Sequence, residues 1–370
     1  DKGKPPDVLF TFNGDTSLYP RLAWENQLLE LSELINPMKD LYSPGALQAG
    51  YYENRTTKQR GYYAVPLGDQ LVYIHCWKDL LKEAGFSLSD IPKSWNDFWE
   101  FWKKVHNSLR EKGLSNIYGM GLSMSNSGVD SFFTFEHFLE GYNVKIVDQN
   151  GKLILDDPTT RRGIITALEQ YTSLYKGGYV PPKATEWRDS GNNTSFLNRE
   201  SVMTINPTIS IPLTVKQDQD TYLNKIATID WPQKSNGEPI TLIRTLKQLV
   251  IFKSTPHQEV AKNFVSFILR PENLDLYLKE LKGRFFPVMP KLQQNPVWHD
   301  TNDPHLAALL RQSQQPNRPS YQAFHPAYGE VLSQNVWAGA ILGVLQENLS
   351  PEQAADRAIA RIKQIFADWK

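Results

Sequence analysis

Apolar positions along this chain follow two periods. Short continuous runs alternate with stripes that repeat every three to four residues, which predicts buried strands between amphipathic helices. The first run is Val8, Leu9, Phe10 and Phe12 in "KPPDVLFTFN", the pattern of a strand covered on both faces. Asn13, Gly14, Asp15, Thr16 and Ser17 follow it, a polar segment at the strand's carboxyl end, which is where open parallel sheets bind ligands. Residues 22–35 carry helical spacing, and "YYAVPLGDQLVYIH" reads as two extended pieces broken at residues 66–69. Ser94 with Asp97 forms a capping-box pattern ahead of the stripe Phe98, Phe101, Trp102, Val105 and Leu109. Asp157-Pro158 opens a second helix, with Ile164, Ile165, Leu168, Tyr171, Leu174 and Tyr175 inward and Gly177-Gly178 as its stop. Asn150-Gly151 signals a type I′ hairpin. Thr255-Pro256 begins a helix whose core face is read as Val260, Phe264, Phe267 and Ile268. Ser350-Pro351 begins the last one, with Ala355, Ala358, Ile359, Ile362 and Phe366 inward. The alternation predicts an α/β fold.

Size and charge narrow the picture. A chain of 370 residues exceeds the size at which a single core stops growing, so two lobes are expected. No repeat or low-complexity linker separates them, which favours lobes joined by crossing segments. Forty basic and forty acidic residues cancel, and no basic cluster suggests nucleic acid as a partner. The single cysteine, Cys76, excludes an internal disulfide and leaves both a cytosolic and an exported setting open. No run of about 18 apolar residues is present to span a membrane. Aromatic residues reach 12%, ten of them tryptophan, dispersed along the chain.

Motifs for chemistry are incomplete. The seven histidines include no pair at i, i+4, so no metal and no cofactor is expected. "GMGLSM" has Met124 where a dinucleotide loop needs its third glycine, and "GLSMS" has Ser125 where a nucleophile elbow needs its last. The glycine of "DQNGKLILDD" comes too early for a calcium loop.

Six stretches together carry a resemblance: "KPPDVLF", "YYAVPLGDQLVYIHCWKDLLKEAGF", "IPKSWNDFWEFWKKV", "FLNRESVMTINP", "LVIFKSTPHQEVAKNFVSFILRPENL" and "LSPEQAADRAIARIKQI". In order and spacing they resemble the extracellular solute-binding proteins of ABC importers, the maltose-binding-protein-like family. The resemblance implies a two-lobed periplasmic-binding-protein type II fold with crossing hinge segments. It also implies a bound sugar or sugar-like solute, a permease partner, a monomer and a periplasmic or cell-surface location. Lobe 1 would comprise residues 1–67 and 248–295, lobe 2 residues 68–247 and 296–370, with hinges at 66–71 and 243–249. The strand at Val8 resembles the second strand of the first lobe. A further strand-helix unit is therefore expected before it, together with a leader or lipid-anchor cysteine.

Sugar recognition calls for aromatic rings against C–H faces and for carboxylates, amides and arginines on hydroxyls. The family places several such residues at the cleft: Asn13, Asp15 and Tyr19 after the first strand, Asp69 and Gln70 on the first hinge, and Asn206 and Thr208 after "VMTIN". Arg244, Thr245 and Lys247 stand where many relatives are glycine-rich, and Arg284 matches a position that often reaches the cleft. Trp187, Asn192 and Asn193 lie in "EWRDSGNNTSF", read as a polar loop and not an amphipathic stripe, and Trp337 on a late helix. Bland alternatives stay open: a solvated turn for Asp69 and Gln70, a helix salt bridge for Arg284, core packing for Trp337. Ile209 and Ser210 occupy the neighbourhood of a stacking tryptophan in maltose-binding protein, which points to a smaller or differently stacked ligand. A carbohydrate-active enzyme and a non-transport ligand sensor are the alternative functions.

Overall fold

A computed structural model describes residues 4–369, and two sheets organise them. In chain order the strands are β1 (Val8–Phe10), β2 (Tyr51–Asn54), β3 (Gln59–Tyr62), β4 (Val65–Gln70), β5 (Tyr73–Trp77), β6 (Tyr118–Gly121), β7 (Ser201–Asn206), β8 (Ile226–Ile229), β9 (Leu242–Ile251), β10 (Phe286–Pro287) and β11 (Asn317–Pro319). The first sheet has the order β1-β9-β4-β10, with β11 beside the start of β9. The second has the order β6-β7-β5-β8, and β2 with β3 forms a hairpin. Among the described residues only the pairs β6–β7 and β9–β11 are parallel.

The chain passes from the first sheet to the second between β4 and β5, through the buried residues Leu71 and Val72. The break expected at 66–69 lies inside β4 instead. Pro66 has no N–H to give the ladder, and the register against β9 slips between Pro66 and Gly68 without ending the strand. β9 carries the return passage: Leu242, Ile243 and Arg244 oppose β11, and the residues after them oppose β4 and then β1. β1 is an edge strand paired with β9 alone among the described residues, so Val8, Leu9 and Phe10 are half-buried and not enclosed on both faces.

Helices cover the second sheet as the stripes predict. Trp95–Glu111 buries Trp95, Phe98, Trp99, Phe101, Trp102, Val105 and Leu109. Trp99 meets Phe138 of the helix Asp130–Gly141 at 4.5 Å between ring centroids, and Phe138 meets Tyr171 of the helix Pro158–Lys176 edge-on at 4.7 Å. Asp157 caps the latter by accepting from the Thr159 N–H at 2.9 Å, and Ser350 with Gln353 forms the reciprocal box that opens Pro351–Asp368. Ser94 instead donates to the Asp97 carboxylate at 2.5 Å. Cys76 on β5 lies fully buried between Met203 and Ala227 of the flanking strands, and burial pushes its thiol up to about 12.

Other expectations are corrected. Residues 22–35 do not form one helix: Tyr19–Trp24 ends where Asn26 takes a positive φ of 58°, and a short helix, Ser32–Ile35, follows. The Asn150-Gly151 turn has positive φ only at Gly151, so it is not type I′, and it closes a single bridge between Val147 and Leu153. The helix Gln258–Leu269 buries Ala261, Val265 and Leu269 and turns Val260, Phe264 and Phe267 outward.

Candidate functional site

Charged side chains gather where β4 and β9 lie against each other. Asp69 faces Leu246 and Gln70 faces Thr245 across the ladder, and all six residues of β4 and all ten of β9 are buried. Arg244 Nη1 stands 3.1 Å from Asp69 Oδ2. No hydrogen bond joins the pair, and both Asp69 oxygens and Arg244 Nε lack hydrogen-bond partners. Burial raises the Asp69 carboxyl, with Arg244 opposing.

The loop after β1 closes over the same strands. Residues 14–18 form a single π-helical turn, which turns Asp15 inward so that its Oδ2 accepts from the Leu246 N–H at 2.6 Å. Its Oδ1 is buried without a partner. Burial pushes Asp15 up to about 6, against the pull of Lys247. Tyr19 accepts from the Thr11 N–H at 2.8 Å and so ties the loop back to the end of β1, while Asn13 is exposed at the start of the turn. Lys247 Nζ bonds the Phe12 carbonyl and lies 5.4 Å from the Phe12 ring, and Arg284 lies 5.0 Å from the same ring.

Asn206 and Thr208 approach from the second sheet. Asn206 opposes Tyr73, the first residue of β5, and the charges of Asp69 and Arg244 both act on the Tyr73 hydroxyl. Their polar atoms are turned to their own loop: Asn206 Nδ2 donates to the Thr208 carbonyl at 2.7 Å, and Thr208 Oγ1 accepts from the Ser210 N–H at 3.0 Å. Residues from five separate segments thus meet around one crossing: Asp15, Asp69, Gln70, Arg244, Thr245, Arg284 and Asn206.

Trp187, Asn192 and Asn193 form a different group, and the loop expected for them is in part a helix, Gly191–Leu197, which carries both asparagines. Trp187 is half-buried against Gly191, and the buried Asn192 donates to the Ile205 carbonyl at 2.8 Å. Beside Asn192, burial pushes Asp130 up to about 8, with the Asp189 charge adding to the shift. Asn193 has a buried, unpartnered Oδ1. Trp337 is fully buried; its Nε1 donates to the Tyr328 hydroxyl at 3.1 Å, and Tyr328 donates to Glu136 at 2.7 Å. That network continues through Arg318, whose Nε donates to Glu140 at 2.6 Å. Phe12, Tyr73, Asp130 and Glu136 were not singled out in the sequence. A signal existed for the acids, since Asp130, Glu136 and Glu140 interrupt the apolar run "DSFFTFEHFLEG", and a carboxylate amid rings is buried or paired. No group of three or more His, Cys, Asp or Glu residues among those described is placed to hold a metal ion.

Two α/β lobes with polar residues gathered at the passage between them define a two-lobed binding fold. The family model described as bacterial extracellular solute-binding protein matches residues 1–308, and the chain belongs to that family. It is 21% identical over 301 residues to YcjN of Escherichia coli (strain K12), a proposed ABC transporter periplasmic-binding protein, covering 81% of this chain and 64% of that protein. The chain therefore spans under two thirds of that relative's length. Among solved structures it is similar to an ABC transporter solute-binding protein of Thermotoga lettingae bound with alpha-D-tagatose. The TM-score is 0.77 at 19% identity, over 97% of this chain and 85% of that one. It is also similar to UgpB of Mycobacterium tuberculosis in complex with glycerophosphocholine, with a TM-score of 0.75 at 16% identity over 99% and 85%. These likenesses identify the fold as the periplasmic-binding-protein type II fold.

Proposed function

We propose that this chain is the substrate-binding component of an ABC importer, a non-catalytic clamp that holds a sugar or sugar-like solute between its lobes and delivers it to a permease. The observation that carries the reading is the set of buried, unpartnered oxygens on Asp15 and Asp69 at the crossing of β4 and β9. A buried carboxylate oxygen without a donor is costly, and solute hydroxyls would supply the donors. The tagatose held by a structural neighbour supports a carbohydrate-like ligand. We assign lobe 1 to residues 1–67 and 248–295, lobe 2 to 68–247 and 296–370, and hinge motion to residues 66–71 and 243–249. Membership of an extracellular family supports a periplasmic or cell-surface location, and among the described residues no helix is long and apolar enough to cross a membrane.

Melting the protein against a panel of mono- and disaccharides, polyol glycosides and glycerol phosphodiesters tests the reading. A solute at a hundred times its Kd stabilises by about 2.7 kcal/mol. The same solute should reduce the radius of gyration in small-angle scattering, because it binds the closed state better than the open one. Confirmed binding with an unchanged radius would replace the clamp with a preformed pocket.

A further inference from the structure

Phe12 sits between two cations. It is 47% exposed at the end of β1, with Lys247 Nζ 5.4 Å and the Arg284 guanidinium 5.0 Å from its ring centroid; the Phe285 ring lies 5.9 Å away, and the same Lys247 Nζ is 5.4 Å from that ring too. Lys247 is 1% exposed, and its ammonium has one carbonyl, that of Phe12, as its hydrogen-bond partner. No carboxylate lies within ion-pair distance of Lys247 or Arg284 among the described residues. Asp15 is the acid that acts on Lys247, and its Oδ2 is committed to the Leu246 N–H. Asp69 and Arg244 cancel each other at 3.1 Å. Two cations therefore face one carboxylate at this edge of the crossing. Burial lowers the Lys247 pKa, Asp15 opposes that, and Arg284 adds to it.

The place is at the seam between the lobes. A Cβ built on Gly283, next to Arg284, would stand 2.4 Å from Leu306 and 3.0 Å from Ile209, the residue that follows Thr208. Unneutralised cations placed in a closing, low-dielectric seam repel each other more strongly as water leaves, and an oxyanion entering between them removes that cost. A guanidinium offers a fork of donors to two oxygens of a phosphate or carboxylate, and an ammonium adds a point charge.

We infer that the solute carries an oxyanion, a phosphate or carboxylate attached to a polyhydroxylated body, seated by Lys247 and Arg284 beside Phe12, while Asp15 and Asp69 take its hydroxyls. This rests on the solute-binding reading and narrows its ligand class. The glycerophosphocholine held by one structural neighbour is a ligand of that chemistry.

Isothermal titration of the purified chain with glycerophosphocholine, digalacturonate and maltose, each at low and at 0.3 M salt, tests the inference. Glycerophosphocholine identifies a phosphodiester source and digalacturonate a carboxylate source; one of them should bind and weaken several-fold as salt screens the contact. Arg284→Gln should weaken that probe at least tenfold without lowering the melting temperature, since Arg284 is exposed and unpaired, and Lys247→Met should do the same to affinity. Tight binding of maltose alone, within twofold in Arg284→Gln, overturns the oxyanion and leaves the solute-binding reading standing. Failure of all three probes and of the wider neutral panel overturns both.

Discussion

The strand pairs β4/β9 and β5/β7 are buried to the same degree along their lengths, yet they bury different things. The first pair encloses Asp69, Gln70, Arg244, Thr245, Lys247 and Gln248. The second encloses His75, Ser201, Thr204 and Asn206, all uncharged or held neutral, since burial pushes His75 down to about 3. Polar atoms of the second pair are answered internally: Thr204 donates to the Gly121 carbonyl at 2.8 Å, and His75 meets Thr228 at 3.0 Å. In the first pair Asp69 keeps unpartnered atoms. Burial alone therefore does not separate scaffold from site; leftover hydrogen-bonding capacity does.

Paired substitutions put the contrast under strain. Trp99→Ala and Asp69→Ala should each cost about 3–5 kcal/mol in denaturant unfolding, the first by leaving a cavity among rings and the second by stranding Arg244. Adding Arg244→Met to Asp69→Ala should recover most of the loss, because a neutral pair no longer strands a charge. Should the double variant remain as unstable as Asp69→Ala, the charges hold the fold together and are not held in reserve.

A smaller effect depends on pH. Asp130 is raised to about 8 in the folded chain, so between its ordinary value near 4 and pH 8 the native state binds a proton that the unfolded state has released. Stability from this group is full below the ordinary value and falls as pH rises toward 8, at most by about 1.4 kcal/mol per pH unit. Asp130→Asn should flatten that slope in urea titrations at pH 5, 6, 7 and 8; an unchanged slope would place the proton elsewhere, with Glu136, raised to about 7, the next to replace.

The smallest change is expected at Phe264, which is half-exposed on the helix Gln258–Leu269. Phe264→Ser should move the melting free energy by no more than about 0.5 kcal/mol, against several for any ring of the Trp95–Glu111 stripe. A large loss there would mean that this face is covered in solution.

The sequence stripes predicted the helices over the second sheet well, because Phe98, Trp102, Ile164 and Leu168 are each buried on their inner faces and periodicity reports that directly. At Gln258–Leu269 periodicity failed. Two apolar stripes share that helix, and nothing local distinguishes Val265, which packs, from Phe264, which does not. Asp15, Asp69 and Arg244 were named from the resemblance and do converge, whereas Trp337 has gone into the core. A tryptophan such as Trp187 can be placed only by knowing how the chain folds back on it, and the polar composition of its stretch hid the helix Gly191–Leu197 whose first residue, Gly191, packs against its ring. Lys247 was weighed and Phe12 read as strand filling, since their meeting depends on β1 running antiparallel to β9.

Cys76 gives this molecule an unplanned clock. Its thiol lies in the middle of the second sheet, flanked by Met203 and Ala227 and held unreactive by burial. A thiol reagent can reach it only when β5 parts from a neighbouring strand, so the labelling rate times the opening of one sheet and ignores the hinge motion proposed for residues 66–71 and 243–249. A solute that merely draws the lobes together would leave that clock running at its old pace, while one that braces β5 through Tyr73 would slow it.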